Sequence, residues 1–263
     1  MSDPAVELRL RRVGEILTDA FEVYRRNFLV LVSIAAIVVV PLTLLQYFLV
    51  VEVVDLERVA AEEGRLLAET SDVWRVVLGA FALGILGFVV TQLATGAGTH
   101  AVASAVAGHE PRVGVSYRAA FGRLGSLLLA TLLIGLAVAA GFIALVIPGL
   151  IVLVRLLVTI PAVVVERTTG GRALSRSWEL VRGRSWPVFG TMLVVLIVTG
   201  IFTGILTGPV GDEWFAQGLA ASIASLITTP YVLSVVVLLY LDLRVRKEAL
   251  DHPTLRHELA EGR

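Results

Sequence analysis

Glu166 and Asp242 each stand at the end of a long apolar stretch, in the company of Arg167, Arg172, Arg176, Arg182 and Arg244. Carboxylates and guanidinium groups at such helix ends form interfacial salt bridges. The same arginines can grip a phosphate through two parallel N–H···O bonds, with the carboxylates holding them in place. The expected lipid- or anion-binding set is therefore Arg172, Arg176, Arg182 and Arg244, supported by Glu166 and Asp242. Arg155 is a separate case, the single basic residue inside an apolar run. A charge there costs roughly 2.5–3.5 kcal/mol on insertion scales. Its side chain either snorkels to the outer surface or faces other helices, where it meets an anion or a backbone carbonyl. Together with Gln46, Gln92 and Thr95 it could line a polar cavity at mid-membrane.

Other chemistry is sought without success. The histidines are His100, His109, His252 and His257, and there is no cysteine. No two histidines have ligand spacing, and His257-Glu258 lacks the second histidine of a zinc-protease motif. A Gly-x-Ser-x-Gly elbow and a P-loop are both missing, and the only lysine is Lys247. The expectation is a protein that is not an enzyme and carries no metal or cofactor. Basic residues are scattered between apolar runs, so nucleic acid is not the expected partner.

The elements that carry these residues are apolar helices. The chain has 263 residues and is 57% hydrophobic, with a mean hydropathy of +0.86. Soluble domains are about 45–50% apolar. A bilayer core about 30 Å thick needs roughly 20 apolar residues of helix. Lipid also requires each span to satisfy its own backbone hydrogen bonds. Six spans are predicted, at residues 28–50, 76–98, 124–147, 150–165, 187–206 and 219–241. The third and fourth form one apolar stretch from Leu124 to Val165, too long for one crossing. Pro148-Gly149 is the preferred turn and Gly141 the alternative.

Orientation follows from the basic residues. Placing both termini in the cytoplasm puts eighteen Lys and Arg inside and only Arg58, Arg65 and Arg75 outside. The positive-inside rule thus predicts both termini in the cytoplasm, including a tail at 242–263. Abundant Ala, Val, Gly and Arg with one lysine suggest a prokaryotic genome and so its cytoplasmic membrane. The first outer loop carries Glu52, Asp55, Glu57, Glu62, Glu63, Glu69 and Asp72. It is read either as a solvated external cap or as a cation-attracting vestibule. The first apolar run starts after 27 residues and reads as a signal anchor.

Three inner segments precede the odd-numbered spans, at 5–26, 112–123 and 170–183. Their stripes are Leu17, Phe21, Tyr24; Tyr117, Phe121, Leu124; and Leu174, Trp178, Val181. Each is spaced i, i+4, i+7 with a ring in the middle and arginines around it, which suits a helix in the membrane interface. Amphipathic helix, outward span and inward span then recur three times. This is either a structural repeat or what any arginine-rich loop before a span looks like. Gly200, Gly204 and Gly208 make a small-residue stripe on the fifth span. It serves packing within the chain or a homo-oligomer. Thr159-Ile160-Pro161 and Thr229-Pro230 are predicted kinks in the even spans.

The stretch IPGLIVLVRLLVTIPAVVVERTTGGRALSRSWELVRGRSW, the opening RVGEILTDAFEVYRRNF and the tail YLDLRVRKE resemble the glycerophosphoryl diester phosphodiesterase membrane-domain family and related six-span prokaryotic proteins. Some members of that family are fused to a soluble phosphodiesterase barrel with acidic metal ligands and catalytic histidines, and neither is found in this chain. The resemblance implies a membrane module and does not imply hydrolysis. The expected fold is an all-α polytopic bundle of six transmembrane and three cytoplasmic interfacial helices. The expected function is non-enzymatic, engaging anionic lipid or a partner protein at the cytoplasmic face. The alternative is a small-molecule or lipid transporter.

Overall fold

The computed structural model describes residues 8–43, 45, 72–210 and 214–260. Gln46, the end of the first predicted span and the acidic segment at 51–71 lie outside the described residues. Among the described residues the fold is helical without strands. The helices are α1 (Val13–Arg26), α2 (Phe28–Thr43), α3 (Asp72–Val106), α4 (Val113–Phe121), α5 (Leu124–Ala144) and α6 (Val146–Leu156). They continue with α7 (Thr159–Val165), α8 (Gly170–Val181), α9 (Ser185–Thr207), α10 (Trp214–Glu248) and α11 (His252–Ala260). Five segments are long and apolar enough to cross a membrane: 77–106, 124–144, 146–165, 185–207 and 216–248. The bent pair α1 and α2, turned through 82° at Asn27, makes a sixth. The molecule is an all-α polytopic helical bundle.

Two helices set its proportions. α3 and α10 have 35 residues each, about 52 Å at 1.5 Å per residue. That exceeds a bilayer core by some 20 Å. Their first halves expose large apolar side chains such as Leu78, Phe81, Leu219 and Ile223. Their last halves are buried: Ala101, Val102 and Val106 on α3, and Val237, Leu238 and Leu241 on α10. Around these last halves pack Val23 of α1, Ala120 of α4, Leu180 of α8 and Leu255 of α11. Water is therefore excluded at one end of the molecule by its own side chains. Elsewhere an apolar surface this continuous must be covered by lipid to be stable.

The amphipathic helices dock through their tyrosines. Tyr24 Oη donates to the carbonyl of Ile227 at 3.0 Å, next to the gap that Pro230 opens in α10. Tyr117 Oη donates to the carbonyl of Ile34 at 2.7 Å. The middle ring of each stripe stays outside: Phe21, Phe121 and Trp178 are exposed.

The turn between α5 and α6 lies at Leu145, and not at Pro148-Gly149 or Gly141. Leu145 is fully extended, with φ −173° and ψ 160°. Pro148 sits in the first turn of α6, where a missing N–H breaks no helical bond. The proline therefore starts the helix. The two glycines serve close packing: a Cβ on Gly141 would stand 2.8 Å from Cα of Gly149. The fourth span accordingly begins at Val146 and is not short.

It is broken instead. The helix is interrupted at Leu157–Val158, as Pro161 would clash with the carbonyl four residues before it. The freed carbonyls are taken up locally. Thr159 Oγ1 donates to Leu156 at 2.6 Å, and Ser177 Oγ of α8 donates to Arg155 at 2.8 Å.

Candidate functional site

The charged residues gather at the buried end of α10. Glu166 caps α7 and accepts from Arg176 Nε at 2.7 Å and from Tyr240 Oη at 2.7 Å. Arg176 also reaches Glu248. Arg244 donates from Nε to Glu248 at 3.0 Å and forks onto Glu258 at 2.7 and 2.9 Å. Glu166, Arg176, Glu248, Arg244 and Glu258 thus alternate in sign along one network, with the Tyr240 hydroxyl at its centre. Burial opposes the charge on Arg176, but its hydrogen bonds to Glu166 and Glu248 outweigh this and raise its pKa.

Asp242 belongs to a second cluster. It accepts from the backbone N–H of Arg11 at 2.8 Å and from Arg246 Nε at 2.6 Å. Arg246 in turn bonds the carbonyl of Arg11, and Arg11 Nε reaches Asp19 at 2.7 Å. The N-terminal segment is so clamped onto α10. Leu8 N–H donates to His252 Nε2 at 3.2 Å, which brings the segment before α1 to the start of α11 at this same end. Lys247 bonds the carbonyls of Glu179 and Arg182 at the C-terminal end of α8, where a cation complements the helix dipole.

Of the expected phosphate-gripping set, Arg176 and Arg244 are engaged by carboxylates, while Arg172 and Arg182 are exposed. Tyr240, Glu248 and Glu258 complete the network and were not expected. The four-residue spacing of Tyr240, Arg244 and Glu248 on one helix face is a usable signal for them.

Of the residues expected to line a mid-membrane cavity, Gln92, Thr95 and Arg155 are described, and they line no common cavity. Gln92 Oε1 accepts from Thr131 at 2.9 Å. Thr95 lines a cavity between α2, α3 and α10 of about 230 Å³, with Thr91, Ser225 and Thr229. Arg155 lines a groove of about 540 Å³ between α6 and the start of α9. That groove is walled by Ile147, Leu150, Ile151, Val154 and Phe189, with Ser185 and the exposed Trp186 at its rim. Arg155 has not snorkelled to an outer surface. Its guanidinium stacks 4.4 Å above the ring of Trp178. Its Nε is buried without a hydrogen-bond partner.

A third concentration of charge lies between α4, α7 and α11. A cavity of about 190 Å³ is lined by Arg118, Arg123, Arg167, His100 and Glu258. Arg167 has a left-handed backbone, φ 57°, which costs a residue with a Cβ about 1–2 kcal/mol. Burial and then the like charge of Arg167 lower the pKa of Arg123.

Ser116 Oγ lies 3.4 Å from His100 Nδ1 at the edge of this cavity, a hydroxyl beside an imidazole. Among the described residues no group of three His, Asp or Glu is placed to hold a metal ion. A Cβ added at Gly200, Gly204 or Gly208 would meet nothing within 4 Å among the described residues.

Fold and charge distribution define a multi-helical membrane protein with an arginine-rich end. The chain belongs to the family described as a domain of unknown function (DUF7847), which matches residues 12–245. No curated protein and no solved structure matches it.

Proposed function

We propose that this chain is a non-enzymatic membrane module that holds anionic lipid at its arginine-rich end. The observation that carries this reading is the groove beside α6. It offers a bed walled mostly by apolar side chains, and Arg155 lies in its wall with one nitrogen unsatisfied. Trp186 is 82% exposed at the rim, a position that suits an indole at the headgroup level. Arg172 and Arg182 are exposed nearby on α8 and at its end and supply further cations. Arg176 and Arg244 brace the surface through Glu166, Glu248 and Glu258.

The resemblance to the glycerophosphoryl diester phosphodiesterase membrane domain supports the same reading, a lipid-facing module without the hydrolase. The arginine asymmetry supports a reading in which this end faces the cytoplasm, with both termini inside. A protein partner would meet the same face, and a second copy could meet the open glycine stripe of α9. The transport alternative loses its support, since Gln92, Thr95 and Arg155 surround no common void.

The test is native mass spectrometry of the protein released from phosphatidylglycerol nanodiscs. Arg155→Gln combined with Arg172→Gln and Arg182→Gln should remove most retained phosphatidylglycerol and spare phosphatidylcholine. Equal retention by wild type and variant overturns the reading.

A further inference from the structure

The cavity between α4, α7 and α11 shares only Glu258 with the residues assigned to the lipid face. Three guanidinium groups line it, from Arg118 on α4, Arg123 at the start of α5 and Arg167 just after α7. None of the three has an ion-pair partner among the described residues. Glu258 also lines the cavity, but its carboxylate is forked onto Arg244 on the other side. The local charge is therefore strongly positive, in a fold that neutralises its arginines a few ångströms away.

Two further features point the same way. The backbone of Arg167 adopts the left-handed region, which a residue with a Cβ enters only when its surroundings demand it. The depressed pKa of Arg123 reflects burial and the approach of Arg167, an unfavourable meeting that an anion would reverse. The remaining walls are small or apolar, namely Ala119, Gly122, Val164 and Leu259. A cavity of about 190 Å³ exceeds the roughly 30 Å³ share of one water and has room for a tetrahedral oxyanion.

From this geometry we infer that Arg118, Arg123 and Arg167 form a binding site for a phosphate group. Planar guanidinium groups supplied by separate elements suit the several oxygens of a phosphate better than a single-charge halide. His100, buried at the wall and 3.4 Å from Ser116 Oγ, adds a polar edge. The group belongs either to a soluble phosphate compound or to a phospholipid headgroup, and the chemistry of recognition is the same.

The experiment uses the full chain. In detergent, thermal midpoints are read with inorganic phosphate against sodium chloride of equal ionic strength. In nanodiscs, phosphatidylglycerol retention is read by native mass spectrometry. Arg167→Gly is the principal variant, because glycine accepts the left-handed backbone and the fold is kept. Arg123→Gln is the second. Phosphate should stabilise the wild type, and each variant should bind it about tenfold or more weakly, the loss of a charge-assisted hydrogen bond. Arg172→Gln with Arg182→Gln should leave this response intact, which separates the site from the lipid face. Loss of phosphate stabilisation in the variants supports a soluble ligand. Loss of lipid retention alone in Arg167→Gly supports a headgroup. No phosphate response in the wild type, together with unchanged lipid retention in Arg167→Gly, overturns the site.

Discussion

Arg244 and Glu258 face one another as a two-pronged pair, with N–H···O distances of 2.7 and 2.9 Å. They are 14 residues apart and belong to different helices, so the pair ties α11 to the end of α10. The Arg244 side chain is only 7% exposed. Truncating its partner leaves a buried charge short of acceptors, a costly condition. Glu258→Gln should destabilise the protein by about 1–3 kcal/mol. The loss is moderated because Glu248 still accepts from Arg244 Nε. Arg244→Lys should not substitute, as an ammonium cannot fork. Thermal unfolding in detergent, followed by circular dichroism, reads both effects.

Glycine positions divide sharply. A Cβ on Gly170 would stand 2.9 Å from the backbone nitrogen of Ala130, so α8 and α5 would have to part. Gly170→Ala should cost about 1–3 kcal/mol by overpacking. At Gly204 an added Cβ meets nothing within 4 Å. Gly204→Ala should be neutral or stabilising by up to about 1 kcal/mol from helix propensity. Midpoints of thermal unfolding for the two variants, compared side by side, check this contrast.

The orientation can be tested without background, since the chain has no cysteine. A cysteine at Ala60, in the segment expected outside, should react with a membrane-impermeant maleimide in intact cells. A cysteine at His257 should react only after permeabilisation. Equal labelling of both from the same side would overturn the arginine-based assignment.

Acid should loosen α11 from its N-terminal end. Asp251 Oδ1 accepts the backbone N–H of Thr254 at 2.9 Å, the geometry of an N-cap. The Thr254 side chain and N–H both lower the Asp251 pKa. A carboxylate whose folded pKa is depressed contributes stability above its unfolded value, near 4, and loses it as pH falls through the folded value. The line shape of a spin label at His257 should therefore stay constant from neutral pH down to about pH 4 and sharpen below it. Asp251→Asn should keep the cap and remove this pH dependence.

Much of the architecture is legible in the letters because lipid leaves few options. Long apolar runs have to become helices, so the bundle and most of its spans could be named from hydropathy alone. Glu166, Arg176, Asp242 and Arg244 were recognisable as a charged interface, since each closes or follows an apolar run. Their partners were harder to foresee. Glu258 reaches Arg244 only because α11 folds back, and nothing in the spacing announces that return. The turn at Leu145 was hidden because proline and glycine signal a turn statistically, whereas Pro148 fits a first helical turn without loss. The arginine-lined cavity is hidden for a similar reason. Arg118 and Arg167 are 49 positions apart in the sequence, and in a chain with this many arginines no local pattern distinguishes them.

Leu259 and Glu258 form the last wall of that cavity, and they come after every long apolar helix. During synthesis, all the apolar helices are therefore delivered before the site exists. A nascent chain stalled just past Glu248 would already have its membrane-crossing helices but would hold Arg118, Arg123 and Arg167 open to solvent. Occupancy of the cavity would thus report that α11 has closed over the end of the bundle.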